Sequence, residues 1–387
     1  MEPSDSAAQL RAAAAKARDR LVDWLLNAAY PFWSTRGVDA VHGGFHEAVS
    51  PKGVPLEVPR RGRVQPRQIF AFSKARHFGW QGNAFEAVSH GLTYFLTRYR
   101  RTDELFRTLV APDGSPLDNR AVLYDQAFAL LAFATASPLL GPSFDLPGEA
   151  EQLRQAVVKH YHRPTGEGFN SRTPPGLPLQ SNPHMHLLES SLAWNQATGL
   201  PAWSEMAEEI GKLALTKFID APTGALRECF DDNWAPAQGV TGRIVEPGHQ
   251  FEWAFLLMSW KGPWRDDVRQ AACKLIDIGE QHGVHNGVAI NSLLDDFSIH
   301  DGSARLWPQT ERLRAAAIAA RLIGDTRYWK MVNDAAAGLL RYLDTPVPGI
   351  WYDQLLPSGE FGEVPVPAGN LYHIVGAIEE IDTLLKH

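Results

Sequence analysis

The chain has 387 residues, 44% hydrophobic and 21% charged, with 37 Lys and Arg against 44 Asp and Glu for a formal charge of −7. That length exceeds what one compact core usually supports. The absence of a Lys/Arg block argues against a nucleic-acid groove, and no uninterrupted run of about 18 apolar residues suggests a bilayer span. Cys229 and Cys273 stand far apart with no CxxC pattern, which fits buried small hydrophobes in a reducing, cytoplasmic setting.

The chain opens Met1-Glu2-Pro3-Ser4-Asp5 and runs into a charged, amphipathic segment over residues 9–28. This segment lacks the positive start and apolar centre of a signal peptide and reads as an exposed helix. The turn-forming loop His42-Gly43-Gly44-Phe45 follows, then an apolar helix that opens at Arg67-Gln68-Ile69-Phe70. This alternation recurs. Exposed helices are predicted over residues 82–100, 149–160, 202–219, 266–282 and 327–343. Between them lie Gly/Pro-rich loops such as Pro164-Thr165-Gly166, Pro222-Thr223-Gly224 and Pro348-Gly349-Ile350. The apolar helices open on polar clusters: Tyr124-Asp125-Gln126, His184-Met185-His186, His249-Gln250-Phe251-Glu252, Trp307-Pro308-Gln309-Thr310-Glu311 and Tyr372-His373. With Gln68, Gln126, His186, Gln250, Gln309 and His373 as markers, the gaps are 58, 60, 64, 59 and 64 residues. Each gap holds two helices and two loops of ordinary length. The marker helices are apolar on nearly every side, as buried helices are. Six exposed helices around six buried ones make an all-α (α/α)6 barrel in one domain, residues 1–387, with short hairpins in the loops at the mouth.

Inner helices that start at one face would bring Arg67, Tyr124, Asp125, Asn182, His186, His249, Glu252, Trp307, Glu311 and His373 to one central cavity. Buried polar groups cost several kcal/mol unless paired. A ring of them suits a polar ligand, the structural alternative being an internal hydrogen-bond network. Aromatic residues at 10%, with 12 Trp, suit either a large core or the C–H face of a sugar. His249 and Glu252, three residues apart, share a helix face, so the carboxylate can raise the basicity of the imidazole. His373 would arrive across the cavity, and two histidines flanking one carbon can remove and return a proton near neutral pH. Arg67 offers a fork of donors to a developing enediolate oxygen. His184 and His186 diverge by about 200° on a helix, and no HExxH, phosphate loop or GxGxxG is present, so neither metal nor cofactor is expected. No dedicated phosphate clamp is evident either.

These stretches resemble the N-acylglucosamine 2-epimerase superfamily, which includes bacterial mannose isomerases, sulfoquinovose isomerases, cellobiose 2-epimerases and renin-binding protein. The resemblance runs from about Leu21 to His373. It is carried by Val64-Gln65-Pro66-Arg67-Gln68, Tyr124-Asp125-Gln126-Ala127-Phe128, Asn182-Pro183-His184-Met185-His186-Leu187-Leu188-Glu189, Glu246-Pro247-Gly248-His249-Gln250-Phe251-Glu252-Trp253, Arg305-Leu306-Trp307-Pro308-Gln309-Thr310-Glu311 and Leu371-Tyr372-His373. It implies an (α/α)6 barrel that needs no metal, with His249 and His373 as the acid/base pair. Arg67 would bind the carbonyl oxygen, His186 would assist ring opening or hold a ring hydroxyl, and Glu252 would orient His249. Sugar contacts would come from Tyr124, Asn182, Trp307 and Gln309, with Glu311 counted among them. The Trp307–Glu311 stretch is most similar to the mannose isomerase branch. The expected activity is interconversion of an aldose and a ketose, D-mannose and D-fructose foremost, through a cis-enediol(ate). The alternatives are a 2-epimerase of N-acylglucosamine, mannose/glucose or cellobiose, an (α/α)6 glycoside hydrolase using Glu252 with Glu311 or Asp125, and a non-catalytic sugar-binding toroid. The expected partner is a monosaccharide, with no nucleic acid or membrane, and the chain a monomer or homodimer.

Overall fold

A computed structural model describes residues 5–260 and 266–386. The elements in chain order are α1 (Asp5–Trp24), α2 (Tyr30–Thr35), α3 (Val64–Ser73), α4 (Ala84–Arg98), α5 (Leu123–Leu140), α6 (Leu146–Tyr161) and α7 (Ser181–Thr198). They continue with α8 (Pro201–Leu213), α9 (Pro247–Ser259), α10 (Asp266–Gly283), α11 (Leu306–Ile323), α12 (Thr326–Leu343) and α13 (Asn370–Lys386). A widened π turn over Leu25–Ala29 carries α1 on into α2, and another over Ala214–Phe218 extends α8.

The odd-numbered helices from α3 to α13 contact one another in order, and α13 returns to α3, which closes an inner ring. The even-numbered helices from α4 to α12 each back the inner helix that precedes them. The sixth pair is made by the chain ends, because α1 packs on α13 and α12. Arg18 pairs with Asp382 at 2.7 Å, and the Asn333 amide donates to the Leu10 carbonyl at 3.0 Å. The (α/α)6 barrel read from the sequence is thus the observed architecture. Leu123–Ser143 would pass for a membrane span by length and composition alone. It is instead an inner helix, apolar because neighbours cover it on all sides.

The mouth is also more regular than a set of separate hairpins. Two-residue antiparallel pairings join the loops of successive repeats: Arg60–Arg61 with Leu109–Val110, Ala121–Val122 with Arg172–Thr173, Leu179–Gln180 with Cys229–Phe230, and Ala304–Arg305 with Gln354–Leu355. Val245 bridges Leu293, and Ala48–Val49 with Val366–Pro367 closes the circle. One strand of each pairing runs almost directly into an inner helix, so this belt sets where each inner helix begins.

A second repeated contact fixes each inner helix to the loop before it. The Gln65 side chain accepts from the Phe45 N–H and donates to the Phe45 carbonyl, both at 2.8 Å. Gln126 does the same to Phe106, Gln250 to Leu226 and Gln309 to Ala289. In the third repeat the clamp is His184, which accepts from the Phe169 N–H at 3.0 Å and donates to the Gln180 carbonyl at 2.8 Å. Only the sixth repeat has an apolar residue, Leu371, at this place. Gln309 is therefore a structural clamp and not a sugar contact. The repeat register also differs from the sequence markers, since Gln65 and His184, not Gln68 and His186, occupy the equivalent positions. Gln126→Ala would strand a buried N–H and carbonyl at Phe106, each costing about 1–3 kcal/mol. We expect chemical denaturation to show a loss of about 2–4 kcal/mol, against near-zero for a substitution of exposed Gln155.

Candidate active site

Two residues beyond each clamp, a side chain points at the barrel axis. In chain order these are Arg67, Phe128, His186, Glu252, Glu311 and, counted from Leu371, His373. Neighbours around this ring touch. Arg67 lies over the Phe128 ring at 4.2 Å, Phe128 packs on His186 with centroids 4.3 Å apart, His186 is 3.9 Å from Glu252, and His373 donates from Nδ1 to Glu311 at 2.7 Å. Above them opens a cavity of about 570 Å³, lined by Arg67, Tyr124, Asn182, His186, His249, Glu252, Trp307 and His373 among others. That volume lies within the usual range for small-molecule sites.

The Trp307 ring lies against both His249, at 5.0 Å between centroids, and His373, at 5.8 Å. A Cβ on Gly248 would stand 2.5 Å from that ring, so only glycine admits it. The two imidazoles have opposite environments. His249 donates from Nδ1 to Glu228 at 2.8 Å, with Glu246 at 3.8 Å. Burial opposes charging this ring, but the two carboxylates outweigh it and carry His249 up to about 10. At neutral pH it is an imidazolium with its other N–H free for the cavity. For His373, burial and the guanidiniums of Arg67 and Arg314 hold the ring well below the ordinary imidazole value. It is neutral, and Glu311 accepts from Nδ1, leaving Nε2 bare. One cavity thus holds a poised acid and a poised base.

His186 is neutral as well, held at about 4 by burial against the opposing pull of Glu189, to which its Nδ1 donates at 3.2 Å. His184, buried in its clamp, is also near 4. Arg67 is nine-tenths buried among the Phe128, Tyr124 and Tyr372 rings, donates to the Tyr124 hydroxyl, and leaves Nε without a partner. Among the described residues no carboxylate lies within ion-pair distance of it. A buried guanidinium without a counter-ion is a receptor for a developing oxyanion.

Beneath the cavity Arg314 donates to Glu189 at 3.0 Å and to Glu311 at 2.9 Å, and the Tyr372 hydroxyl donates to Glu189. Nitrogen and oxygen atoms of His186, Glu189 and Glu252, and of Glu252, Glu311 and His373, lie within 4.8 Å of one another, a spacing that could hold a metal ion. The Arg314 guanidinium already supplies positive charge to both sets.

The sequence pattern of the N-acylglucosamine 2-epimerase (GlcNAc 2-epimerase) family matches residues 43–377. The chain belongs to that family. It is a sugar isomerase or epimerase. It is 44% identical over 377 residues to a mannose-6-phosphate isomerase of Rhizobium meliloti, covering 95% of this chain and 97% of that one. It is 23% identical to a D-mannose isomerase of Marinomonas mediterranea, over 88% and 91%. The cellobiose 2-epimerase structure from Spirochaeta thermophila superposes with a TM-score of 0.86 at 21% identity, over 99% and 100% of the two chains.

Of the residues singled out in the sequence, this epimerase-family barrel brings Arg67, Tyr124, Asn182, His186, His249, Glu252, Trp307 and His373 to one cavity. Two assignments change besides that of Gln309. Glu252 does not orient His249, whose Nδ1 edge is taken by Glu228. Glu311 is fully buried behind His373 and holds that ring instead of sugar. Glu189, Glu246 and Tyr372 stood in the quoted stretches with no role assigned, and Glu228 and Arg314 were not singled out. Arg314 follows Glu311 by three residues, the helical spacing of an ion pair, and was readable there. Glu228 lies in a loop 21 residues before His249, where no spacing rule reaches. Glu228→Gln removes the charge that keeps His249 protonated. We expect its imidazole titration, followed by NMR of the ring nitrogens, to move down by more than about one pH unit; an unmoved titration would contradict this electrostatic assignment.

Proposed function

We propose that this enzyme interconverts an aldose and its 2-ketose, D-mannose and D-fructose, by proton transfer through a cis-enediol(ate). What carries the reading is the pairing of a neutral His373 with a protonated His249 on one tryptophan-floored cavity. His186, neutral and with its Nδ1 edge on Glu189, takes the anomeric proton as the ring opens. His373 Nε2 removes the C2 proton of the open aldose, and Arg67 holds the oxygen on which charge develops. Delivery of that proton to C1 gives the ketose. Delivery of a proton to C2 by the His249 imidazolium gives the epimer, the second outcome within the same chemistry. A hydrolase would need two carboxylates free to flank a glycosidic bond, whereas Glu311 and Glu189 are committed to His373, His186 and Arg314. Positioned acid–base catalysis is worth about 10²–10⁴ in rate. His373→Ala is expected to lose at least that factor in fructose formation and in deuterium uptake from D2O, and His249→Ala at least that factor in formation of the C2 epimer, with the helical circular dichroism of both variants retained. Fructose formation retained in His373→Ala, or epimer formation retained in His249→Ala, would remove that histidine from the scheme.

A second reading, that the sugar carries a phosphate, is favoured by the cavity walls. Arg61, Arg63, Arg172 and Arg305 line it above Arg67 in a chain whose net charge is −7. Arg61, Arg63 and Arg305 have carboxylate partners in Glu47, Asp125 and Glu246, but among the described residues Arg172 has none. Local positive charge of this kind draws an anionic substrate, and the Rhizobium meliloti relative is named for mannose 6-phosphate. If phosphate is read here, Arg172→Ala should lower kcat/KM for mannose 6-phosphate by about tenfold or more, the worth of a charged hydrogen bond, and leave free mannose within about twofold. Equal kcat/KM values for the two sugars in the wild type would reject the phosphate reading.

A further inference from the structure

An aldose and its ketose differ in the position of two hydrogens, one on carbon and one on oxygen. His373 accounts for the carbon-bound hydrogen, which leaves C2 and arrives at C1. A proton must also leave O2 and arrive at O1, and no residue yet described carries it. Epimerisation at C2 has no such requirement, because O2 stays protonated throughout.

The axial cluster holds an unused group of the right kind. Glu189, Glu252 and Glu311 gather near the Arg314 guanidinium. Glu189 and Glu311 each bond the guanidinium, and each also holds a histidine. Glu252 does neither. It is 1% exposed, its Oε1 has no hydrogen-bond partner, and the nearest imidazole nitrogen with which it pairs, His186 Nδ1, is 3.9 Å away and committed to Glu189. One Glu252 oxygen nevertheless lies within 4.8 Å of His373, and the residue lines the cavity. Carboxylates this close repel one another in a dry site, and the Arg314 guanidinium is spent on Glu189 and Glu311. The one outside the ion pairs keeps its proton, and burial together with Glu311 and Glu189 pushes the Glu252 carboxyl well above the usual range. A neutral carboxyl presents one donor and one bare acceptor.

Building on the enediol chemistry proposed above, we infer that Glu252 is the acid that gives a proton to O1 and takes one from O2, and so directs the enzyme to ketose rather than epimer. His373 removes the C2 proton, the C2–H electron pair forms the C1=C2 bond, and the carbonyl pair moves onto O1. The Glu252 hydroxyl protonates O1. The resulting carboxylate removes the O2 proton, and the O2–H pair becomes the second C2–O2 bond. The C1=C2 pair then takes the proton from His373 at C1. The carboxylate ends protonated, the imidazole ends neutral, and no further reactant is consumed.

Glu252→Gln keeps the size, the neutrality and a donor, but an amide cannot take the O2 proton. With mannose in D2O, proton NMR is expected to show deuterium entering C2 at a rate within about tenfold of the wild type. Fructose formation should fall by about a hundredfold or more. Glu252→Asp, which keeps an acid, should restore the ratio of fructose to C2 exchange. Loss of both processes by one factor, or fructose formation that survives the glutamine, would overturn the inference and leave the enediol scheme standing. On the wild type alone, fructose formation should carry a larger solvent isotope effect than C2 exchange, and equal effects would likewise overturn it. Absence of deuterium at C1 and C2 of mannose, glucose and their 6-phosphates with the wild type would instead defeat the proposed function itself.

Discussion

A single guanidinium, that of Arg314, lies between Glu189 and Glu311 at the barrel axis, and the arrangement of the site follows from it. Removing one partner from a buried ion pair costs about 3–5 kcal/mol, because the other charge is left without compensation. The pairing therefore fixes two carboxylates beneath the cavity. Each then holds an imidazole by Nδ1, so the tautomers of His186 and His373 are set from below. The Tyr372 hydroxyl closes the same cluster through Glu189. Arg314 also packs over Phe255 at 4.0 Å, which ties the polar centre to the apolar wall around it.

The site makes unlike groups out of like residues. Four histidines lie within or beside the cavity, and position alone separates their tasks. His184 spends both nitrogens on backbone groups and holds a loop. His186 and His373 are kept neutral by burial and nearby cations. His249, at the mouth, meets two carboxylates and stays charged. The same partition divides the carboxylates, of which two are ion-paired and one is not. Placing acid and base on opposite sides of neutrality with unchanged side-chain chemistry requires a dry site in which one charge is felt strongly by its neighbours.

Much of this was legible in the sequence, for identifiable reasons. The six-fold alternation of helix types survives because each inner helix is covered on every side, which removes the amphipathic signal that exposed helices keep. His249, His373, Arg67 and Trp307 were recognisable because charged and aromatic residues at the start of such helices have few structural reasons to be there. The exact register was not legible, because Gln65 and Gln68 are equally plausible markers until the partner at Phe45 is known. The same ambiguity made Gln309 look like a ligand contact. Glu228 could not be found, since its link to His249 is made by loop geometry. The arginines of the cavity wall were missed because net charge averages over a surface that the substrate never meets.

The strand belt at the mouth separates two kinds of freedom. Its short pairings and the glutamine clamps hold the first turns of the inner helices, and nearly all the reacting groups sit on those turns. Beyond the belt, the loop tips are tethered at both ends and carry little of the chemistry. Such a rim can be lengthened, shortened or recharged one loop at a time while the proton-transfer machinery stays in register. A barrel of this construction can change what it admits without relearning how to react with it.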